Sequence, residues 1–379
     1  MILLRFLPYV WKTVRRAPIR SLLTIVGTAL ALGLFAFVRT LEGGVDRFQE
    51  SAAKPVVVVF QQSRFCPLTS ELPERYRERI ESVAGVEETL PTTIYVNMCR
   101  SNLDLVTLHG VDTETLEKVH GLRVLSGDVA SWKAASNGAL VGRRLAERRG
   151  LVVGQRVRLG VLDVEVKGIV DGDGPGLDNV AFVHEKPLQL VRDLQGQTSE
   201  YFVKLAPGAD AEAVAREIDR LFATDVAPTD TKTLQAFVQG AVEEVAEIVG
   251  FARLLGYLAV LVVVLIVGNT VFISAQTRAQ ELGALETLGV TKARLASLLL
   301  LEGLLLAVMG GAIGTTAVLL WFHFQPTTLG VEGFGIDFVA GPEIAVAGLV
   351  ASLVVGVLAA LGPAIEAVLR PVADAVRPA

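Results

Sequence analysis

The sequence contains few of the residue types on which most catalytic and metal sites depend. Its 379 residues include two cysteines and four histidines, with no CxxC pair and no histidine spacing typical of a metal site. It has no GxxxxGK[ST] phosphate-binding loop, and its net charge of −5 gives no general case for nucleic-acid binding. We therefore predict no catalytic, cofactor-binding or metal site in this chain and no nucleic-acid partner.

Two charged stretches could still suggest a ligand. Asp171 and Asp178 flank a glycine-rich segment that resembles the start of a calcium loop, but Pro175 and Phe182 stand where such a loop needs oxygen ligands. We predict a turn there. Four arginines fall on one short predicted helix: Arg143, Arg144, Arg148 and Arg149. We expect this helix face to be solvated rather than to bind an anion or a lipid.

Long apolar runs dominate what is present, since 51% of the residues are hydrophobic and the mean hydropathy is +0.50. Four runs are long enough to cross a bilayer, at about 21–38, 254–275, 295–322 and 344–361. A cleaved signal peptide is the alternative for the first run. The only cleavage-like triplet, at 29–31, lies inside the run, so an uncleaved span is favoured.

Roughly 180 residues of mixed strand and helix pattern separate the first two runs. The sequence therefore predicts an α-helical membrane protein with four transmembrane helices and a large extracytoplasmic α+β domain inserted between helices 1 and 2. The predicted segments are a cytoplasmic amphipathic helix (1–20), transmembrane helix 1 and its stalk (21–52), the α+β domain (53–231), a second stalk and transmembrane helix 2 (232–275), a cytoplasmic coupling helix (276–294), transmembrane helices 3 and 4 (295–365) and a cytoplasmic tail (366–379).

Two further patterns concern the helices themselves. Apolar residues from Leu234 to Leu255 recur in steps of three and four, which predicts a stalk seam continuous with the second span. Small residues that allow close helix packing recur in the last two spans: Gly310, Gly311, Gly314, Gly348, Ser352 and Gly356. We expect Gly362 and Pro363 to end the fourth span.

Lysines and arginines near the span ends predict the orientation in the membrane. They flank the start of the first span, lie between the second and third spans, and occur in the tail, whereas the short loop expected at 323–342 contains none. By the positive-inside rule, both termini and the segment between the second and third spans are cytoplasmic in a multi-pass membrane protein.

The polar segment between the second and third spans has the pattern of a small amphipathic helix. Leu282, Leu285 and Leu288 recur every third residue, Arg278 and Glu281 are spaced to pair, and Gly289 is a natural C-terminal stop. Such a helix either docks on a partner at the membrane face or lies in the membrane interface. If it docks, Leu285 is the expected central anchor.

The same residues resemble the signature R-x-x-E-[IL]-G-x-L-[RK]-A-L-G … E of FtsX/MacB-type permeases. The matching positions are Arg278, Glu281, Leu282, Gly283, Leu285, Leu288, Gly289 and Glu302. Glu286 and Thr287 depart from it. The phrases LHGVDTETL and ALVGRRLAERRGLVVGQRVRL are similar to a MacB-type periplasmic core domain. The resemblance implies that 278–289 is a coupling helix that contacts a separate ABC ATPase.

The function implied by this resemblance is that of an ABC transporter permease subunit, which transmits ATP-driven motion to the outer domain for export or mechanotransmission. It is not itself an enzyme, since ATP and Mg²⁺ are expected on the partner ATPase. The other implied partners are a second permease copy or a paralogue, the lipid bilayer and, as an optional addition, a periplasmic adaptor. The alternatives are a Lol-type lipoprotein-extraction permease and an FtsX-like scaffold that regulates cell-wall hydrolases.

Three residues carry separate hypotheses. Cys66 and Cys99 both fall in the outer domain, where they form either a disulfide or two buried free thiols. Glu302 lies about two turns into the third span, where a carboxylate is costly unless it is paired or reaches water. A helix-packing or interfacial role is favoured for Glu302 over substrate or proton transfer.

Overall fold

A computed structural model describes most of the chain, and its contacts divide it into two compact units. The described residues are 6–64, 69–97, 106–172, 174–325, 327–331 and 334–369. The membrane unit comprises the described residues of 1–43, 247–325 and 339–379, and the outer unit comprises those of 44–246 and 326–338.

The described elements alternate between long helices and a strand-rich region. The helices are α1 (Leu7–Arg16), α2 (Pro18–Glu50), α3 (Tyr76–Glu81), α4 (Leu116–His120), α5 (Val129–Ala134), α6 (Arg143–Arg149), α7 (Glu185–Arg192), α8 (Ala211–Phe222), α9 (Leu234–Thr277), α10 (Ala279–Thr287), α11 (Lys292–Phe324) and α12 (Pro342–Leu369). The strands are β1 (Val56–Gln61), β2 (Leu72–Pro73), β3 (Val86–Asn97), β4 (Val106–Val111), β5 (Arg123–Gly127), β6 (Gly138–Gly142), β7 (Arg156–Leu159), β8 (Leu162–Asp171), β9 (Val180–His184), β10 (Gln197–Thr198), β11 (Glu200–Leu205), β12 (Thr229–Thr233), β13 (Thr327–Val331) and β14 (Phe334–Phe338).

Four of the described helices are long and apolar enough to cross a membrane, which confirms the predicted fold class. They contain the spans Pro18–Glu50, Val245–Thr277, Lys292–Phe324 and Pro342–Leu369. The strand-rich region lies between the first and the second of them. Both α2 and α9 continue without a break from the membrane unit into the outer unit. The helical seam of α9 differs from the expected one, since Ile248 and Leu255 are exposed while Val242 and Val249 are buried.

Small residues let the membrane helices approach closely, as predicted. A Cβ atom at Gly314 would lie 2.1 Å from the carbonyl oxygen of Ala29, and one at Gly348 would lie 2.2 Å from the hydroxyl oxygen of Thr315. Gly311 faces Ser352 in the same way. Because neither backbone nor side chain can yield by that much, larger residues at these positions would force the helices apart.

The prediction that Gly362 and Pro363 end the fourth span is wrong, because α12 continues to Leu369 with Pro363 inside it. The first residues of the predicted tail are therefore helical. A proline inside a helix removes one hydrogen bond, here the one to the carbonyl of Ala359. Gly268 of α9 lies against this carbonyl, with its notional Cβ 3.0 Å from the oxygen. Close packing against a neighbouring helix stabilises the turn that the proline weakens.

The outer unit is built on one ten-stranded mixed sheet, with strand order β12-β1-β11-β3-β4-β9-β6-β8-β5 and β7 paired to β8. Two separate hydrophobic clusters lie on it. One groups the early and late parts of the chain, including Val57, Tyr76 and Phe222. The other groups the middle part, including Leu145 and Val166. The early and late parts of the chain therefore share one cluster, and the middle part has its own.

Local chemistry explains where individual elements begin. The Asp210 carboxylate accepts hydrogen bonds from the backbone N–H groups of Glu212 and Ala213, which caps the start of α8. The segment at 327–338 lies within the short loop expected at 323–342, between the third and fourth spans. It forms the antiparallel hairpin β13–β14 instead, with Thr328 opposite Asp337, and this hairpin belongs to the outer unit.

Candidate coupling site

The segment between the second and third spans folds as the short helix α10, as its pattern predicts. Arg278 occupies the N-cap, and Glu281 lies in the first turn, where a negative charge is favoured. Gly289 has a φ of +94° and its N–H donates to the carbonyl of Glu286. Glycine adopts this left-handed conformation without strain, so the predicted C-terminal stop at Gly289 is confirmed.

Arg278 is the centre of a polar cluster in the membrane unit. Its guanidinium lies 3.4 Å from the carboxylate of Glu281 and 3.5 Å from that of Glu302. It donates a hydrogen bond of 2.6 Å to the hydroxyl of Tyr9 and stacks over the Tyr9 ring, 5.1 Å from the centroid. With only 11% of its side chain exposed, Arg278 ties α1, α10 and α11 together.

Glu302 is buried on α11, and both of its carboxylate oxygens have partners. Ser274 of α9 donates a 2.6 Å hydrogen bond to Oε1, while Arg278 approaches Oε2. The pairing that a carboxylate needs inside a span is therefore present. Glu302 thus joins α9 and α11 to the N-cap residue of α10, and its helix-packing role stays a prediction.

A second ion pair joins α10 to α1 at the surface. Arg16 lies 3.0 Å from Glu281, and both side chains are about half exposed at 54% and 49%. Sequence analysis had paired Glu281 with Arg278 alone, and the structure adds Arg16 as a further partner. Because this pair is solvated, we expect it to contribute little to stability.

The two leucines of α10 and Leu288, its C-cap residue, have different surroundings. Leu282 and Leu285 are half-buried against a small apolar cluster that contains Val10 of α1 and Leu295 and Leu298 of α11. Leu288 is 81% exposed, although leucine is usually buried. Gly283 is buried.

A cavity of ≈ 260 Å³ opens beside α10. Leu282 and Gly283 line one side, and Phe272 of α9, Leu295 of α11 and Pro363 of α12 line the others. Its walls come from α9, α10, α11 and α12, and they are mostly apolar, with Glu286 and Glu366 among the lining residues. A cavity of this size accommodates a large apolar side chain.

Sequence analysis missed Tyr9, Arg16 and Ser274 as members of this site. The basic composition of the N-terminal helix pointed to the membrane surface rather than to α10. Contacts such as Arg16–Glu281 join residues 265 positions apart, and no local periodicity reports a pair so distant in sequence.

The structure corrects one of the other expectations. The arginines of α6 do not form a solvated face, since Arg143 lies 3.4 Å from Asp171 and Arg144 lies 3.7 Å from Asp178. Asp171 and Asp178 thus face arginines. Cys66 and Cys99 lie outside the described residues, so the disulfide remains a prediction.

Comparisons with known proteins agree with this architecture. The MacB-like periplasmic core domain family matches residues 21–221, and the FtsX-like permease C-terminal family matches residues 253–371. No curated protein matches the chain.

Two solved structures are similar to about half of the chain. The periplasmic region of MacB from Actinobacillus actinomycetemcomitans aligns with a TM-score of 0.40 and 11% identity, over 50% of this chain and 94% of that one. The extracellular domain of the noncanonic ABC-type transporter YknZ from Gram-positive bacteria aligns with a TM-score of 0.36 and 16% identity, over 47% of this chain and 98% of that one.

The four apolar helices and the α+β insertion define a multi-pass membrane protein. The chain belongs to the MacB/FtsX-type family of ABC transporter permeases. Members of this family are permease components whose ATPase is a separate subunit.

Proposed function

We propose that this chain is the transmembrane subunit that passes ATP-driven motion of its partner ATPase to the outer unit, and that α10 is the element that contacts the ATPase. The observation that carries this proposal is the Arg278 cluster. It fastens α10 to α11 through Glu302 and to α1 through Tyr9. A force applied to α10 would therefore move the membrane helices with it.

The surface of α10 supports docking of a protein partner. Leu288 is exposed, and the apolar cavity beside α10 is large enough for a side chain of the ATPase. Leu285, the anchor expected from the sequence, packs against the chain's own cluster. We therefore propose Leu288 as the main anchor and assign Leu285 to holding α10 in place.

Long unbroken helices suit the transmission of motion. The 33 residues of α2 and the 44 residues of α9 correspond to rods of about 50 Å and 66 Å at 1.5 Å per residue. Both rods enter the outer unit without a break. A displacement of either helix in the membrane can therefore pass along the helix to its residues in the outer unit.

The remaining parts of the proposal follow from the family and the distribution of charge. We place both termini and α10 in the cytoplasm of a bacterial cell and the outer unit beyond the inner membrane. ATP and Mg²⁺ bind to the ATPase. A second copy or a paralogue completes the transporter, and a periplasmic adaptor is a further candidate partner. Lol-type lipoprotein extraction and FtsX-like control of cell-wall hydrolases are the alternative outputs of the same movement.

The test is to purify the wild type and Leu288→Asp with the ATPase indicated by the gene neighbourhood. If Leu288 becomes buried on docking, the new carboxylate costs several kcal/mol, which weakens binding by about 100-fold or more. Co-purification and stimulated ATP hydrolysis should both fall. Val226→Asp is the matched control, because Val226 is 75% exposed in the outer unit and lies outside the proposed contact.

Three results are informative. Loss of binding in Leu288→Asp with normal binding in Val226→Asp supports the assignment of α10. Normal binding and stimulation in Leu288→Asp contradict it. A gene neighbourhood with a lipoprotein-processing or cell-division gene favours the corresponding alternative output.

A further inference from the structure

The hairpin β13–β14 is connected along the chain to the third and fourth spans, yet it packs in the outer unit. An isolated two-stranded hairpin is only marginally stable in water, so its order depends on what it packs against. Ile336 is fully buried and Phe338 is 6% exposed. The hairpin is therefore a docked part of the outer unit rather than a free loop.

The docking contact is a compact hydrogen-bonded joint centred on Asn179. Asn179 ends a 3₁₀ turn (Leu177–Asn179) just before β9 and is 3% exposed. Its amide nitrogen donates to Oδ1 of Asp337 at 2.6 Å and approaches the hydroxyl of Thr328 at 3.4 Å. Thr328 in turn donates to Oδ1 of Asp337 at 2.7 Å. The side chain of Asn179 thus contacts both strands of the hairpin.

The outer unit holds Asn179 in a fixed orientation. Arg148 of α6 donates to its Oδ1 at 3.2 Å, which leaves the amide nitrogen directed at the hairpin. Gly335 lies against the same side chain, and a Cβ there would be 2.7 Å from the amide nitrogen. Arg144 approaches the second oxygen of Asp337 at 3.8 Å. The joint is therefore shaped for this hairpin, with a glycine where the approach is closest.

The hairpin also contacts α2 within the outer unit. A Cβ at Gly44 would lie 2.6 Å from the Phe338 ring and 3.0 Å from the carbonyl oxygen of Asp337. Since backbone and ring leave no space for a larger residue, the hairpin sits against α2 at a glycine. It is thus held between α2 and the turn that carries Asn179.

One helix, α11, connects the proposed coupling site to the hairpin along the chain. Four residues separate the end of α10 from the start of α11. The 33 residues of α11 form a rod of about 50 Å, and β13 begins three residues after it ends. A movement of α11 must therefore reach β13 through a very short connection.

We propose that the Asn179–Asp337 joint is a second transmission point, at which movement of the third and fourth spans is delivered to the turn before β9 and to α6. Asn179 and Asp337 are positioning residues in this scheme. The inference rests on the proposed function, because the movement originates at the ATPase. It goes beyond that function by assigning a route that does not use α2 or α9.

The experiment uses the full chain with its ATPase in lipid nanodiscs. The amide hydrogen exchange of 143–149 and 177–184 is compared between the ATP-bound and nucleotide-free states. Three proteins are compared: the wild type, Asn179→Ala, and a double variant that swaps the two residues, Asn179→Asp with Asp337→Asn. The double variant keeps an amide opposite a carboxylate, so it rebuilds the joint with the roles reversed. Stimulated ATP hydrolysis is measured on the same samples.

In the wild type, ATP binding should change the rate of amide hydrogen exchange in both 143–149 and 177–184. Asn179→Ala removes the hydrogen bond to a charged group, so exchange in β14 should rise by about tenfold. The nucleotide-driven change at 143–149 and 177–184 should be lost while ATP hydrolysis stays stimulated. The double variant should restore the nucleotide-driven change in hydrogen exchange.

Two outcomes overturn the inference. If Asn179→Ala keeps the full nucleotide response, the joint transmits nothing. If the double variant restores the protection of β14 from hydrogen exchange but not the nucleotide response, the joint only stabilises the fold. Failure of the proposed function has a different signature, because the wild type itself would then not bind or stimulate the ATPase.

Discussion

An arginine-centred cluster lies at each proposed transmission point, one in the membrane unit and one in the outer unit, and the two clusters balance charge differently. In the membrane unit, Arg278 serves Glu281 and the buried Glu302. In the outer unit, Arg144 lies between two carboxylates that also face each other, Asp178 and Asp337. The first cluster isolates a buried charge with its counter-ion. The second brings like charges together beside a hydrogen-bonded joint.

The two clusters should therefore respond to different perturbations. A buried ion pair is sensitive to removal of one partner, because the other charge remains in a low-dielectric site. A shared arginine between two acids is sensitive to protonation, because one proton relieves the repulsion.

Removal of the Arg278 charge should be the most damaging change. Arg278→Met leaves Glu302 buried without its cation, which costs about 3–5 kcal/mol. We expect a lower unfolding temperature and poor recovery of the protein from membranes. The double variant Arg278→Met with Glu302→Leu should recover most of the loss, since both charges are then absent. Equal damage in the single and double variants, measured by thermal unfolding in detergent, would contradict the pairing.

The outer cluster should show a pH dependence centred on Asp178. Burial, with the nearby Asp337 charge as a second cause, raises the pKa of Asp178 to about 6. The other charged groups that face it are Arg143 and Arg144. Because the folded-state pKa lies above the ordinary value of 3.8, the folded state binds the proton more tightly. The stabilisation is present at low pH and is lost as the pH rises through about 6.

Asp178→Asn should remove this pH dependence. Between pH 5 and pH 8, the wild type should lose about 1.4 kcal/mol of local stability that the variant keeps. Hydrogen exchange in β9 and β14, corrected for the intrinsic effect of pH, measures the difference. Exchange that depends on pH equally in the two proteins would assign the titration to another group. Glu185, whose pKa burial raises to about 8, titrates over the same range in both proteins, so the effect of Asp178 is the difference between them.

The surface pair of the membrane unit should have the smallest effect. Arg16→Ala removes the exposed contact with Glu281 and should cost less than about 1 kcal/mol. Its unfolding temperature should stay close to that of the wild type. A loss as large as that of Arg278→Met would show that the stabilising role lies in the Arg16 pair instead.

The sequence was sufficient for features that leave a local pattern. Continuous apolar runs predicted the four spans, and the stop at Gly289 followed from the spacing of α10. The small-residue stripes predicted close helix contacts, which Gly314 and Gly348 make. Each of these features depends on neighbours within a few residues along the chain.

Features that depend on distant neighbours could not be predicted in this way. The contact of Tyr9 with Arg278 spans 269 positions and that of Asn179 with Asp337 spans 158. Pro363 was expected to end a helix that packing against Gly268 allows to continue. The hairpin did leave a local pattern, since apolar residues alternate at Phe334, Ile336 and Phe338, but the segment between two spans was expected to be a short loop.

The most direct test of the central claim is a photo-crosslinking amino acid placed at position 288 in the assembled transporter. Leu288, the C-cap residue of α10, is exposed, so we expect an ATP-sensitive adduct between this chain and the ATPase. The same amino acid at position 226 in the outer unit should give no ATPase adduct. An assembled complex that yields no ATPase adduct from position 288 would contradict the assignment of α10 as the coupling helix.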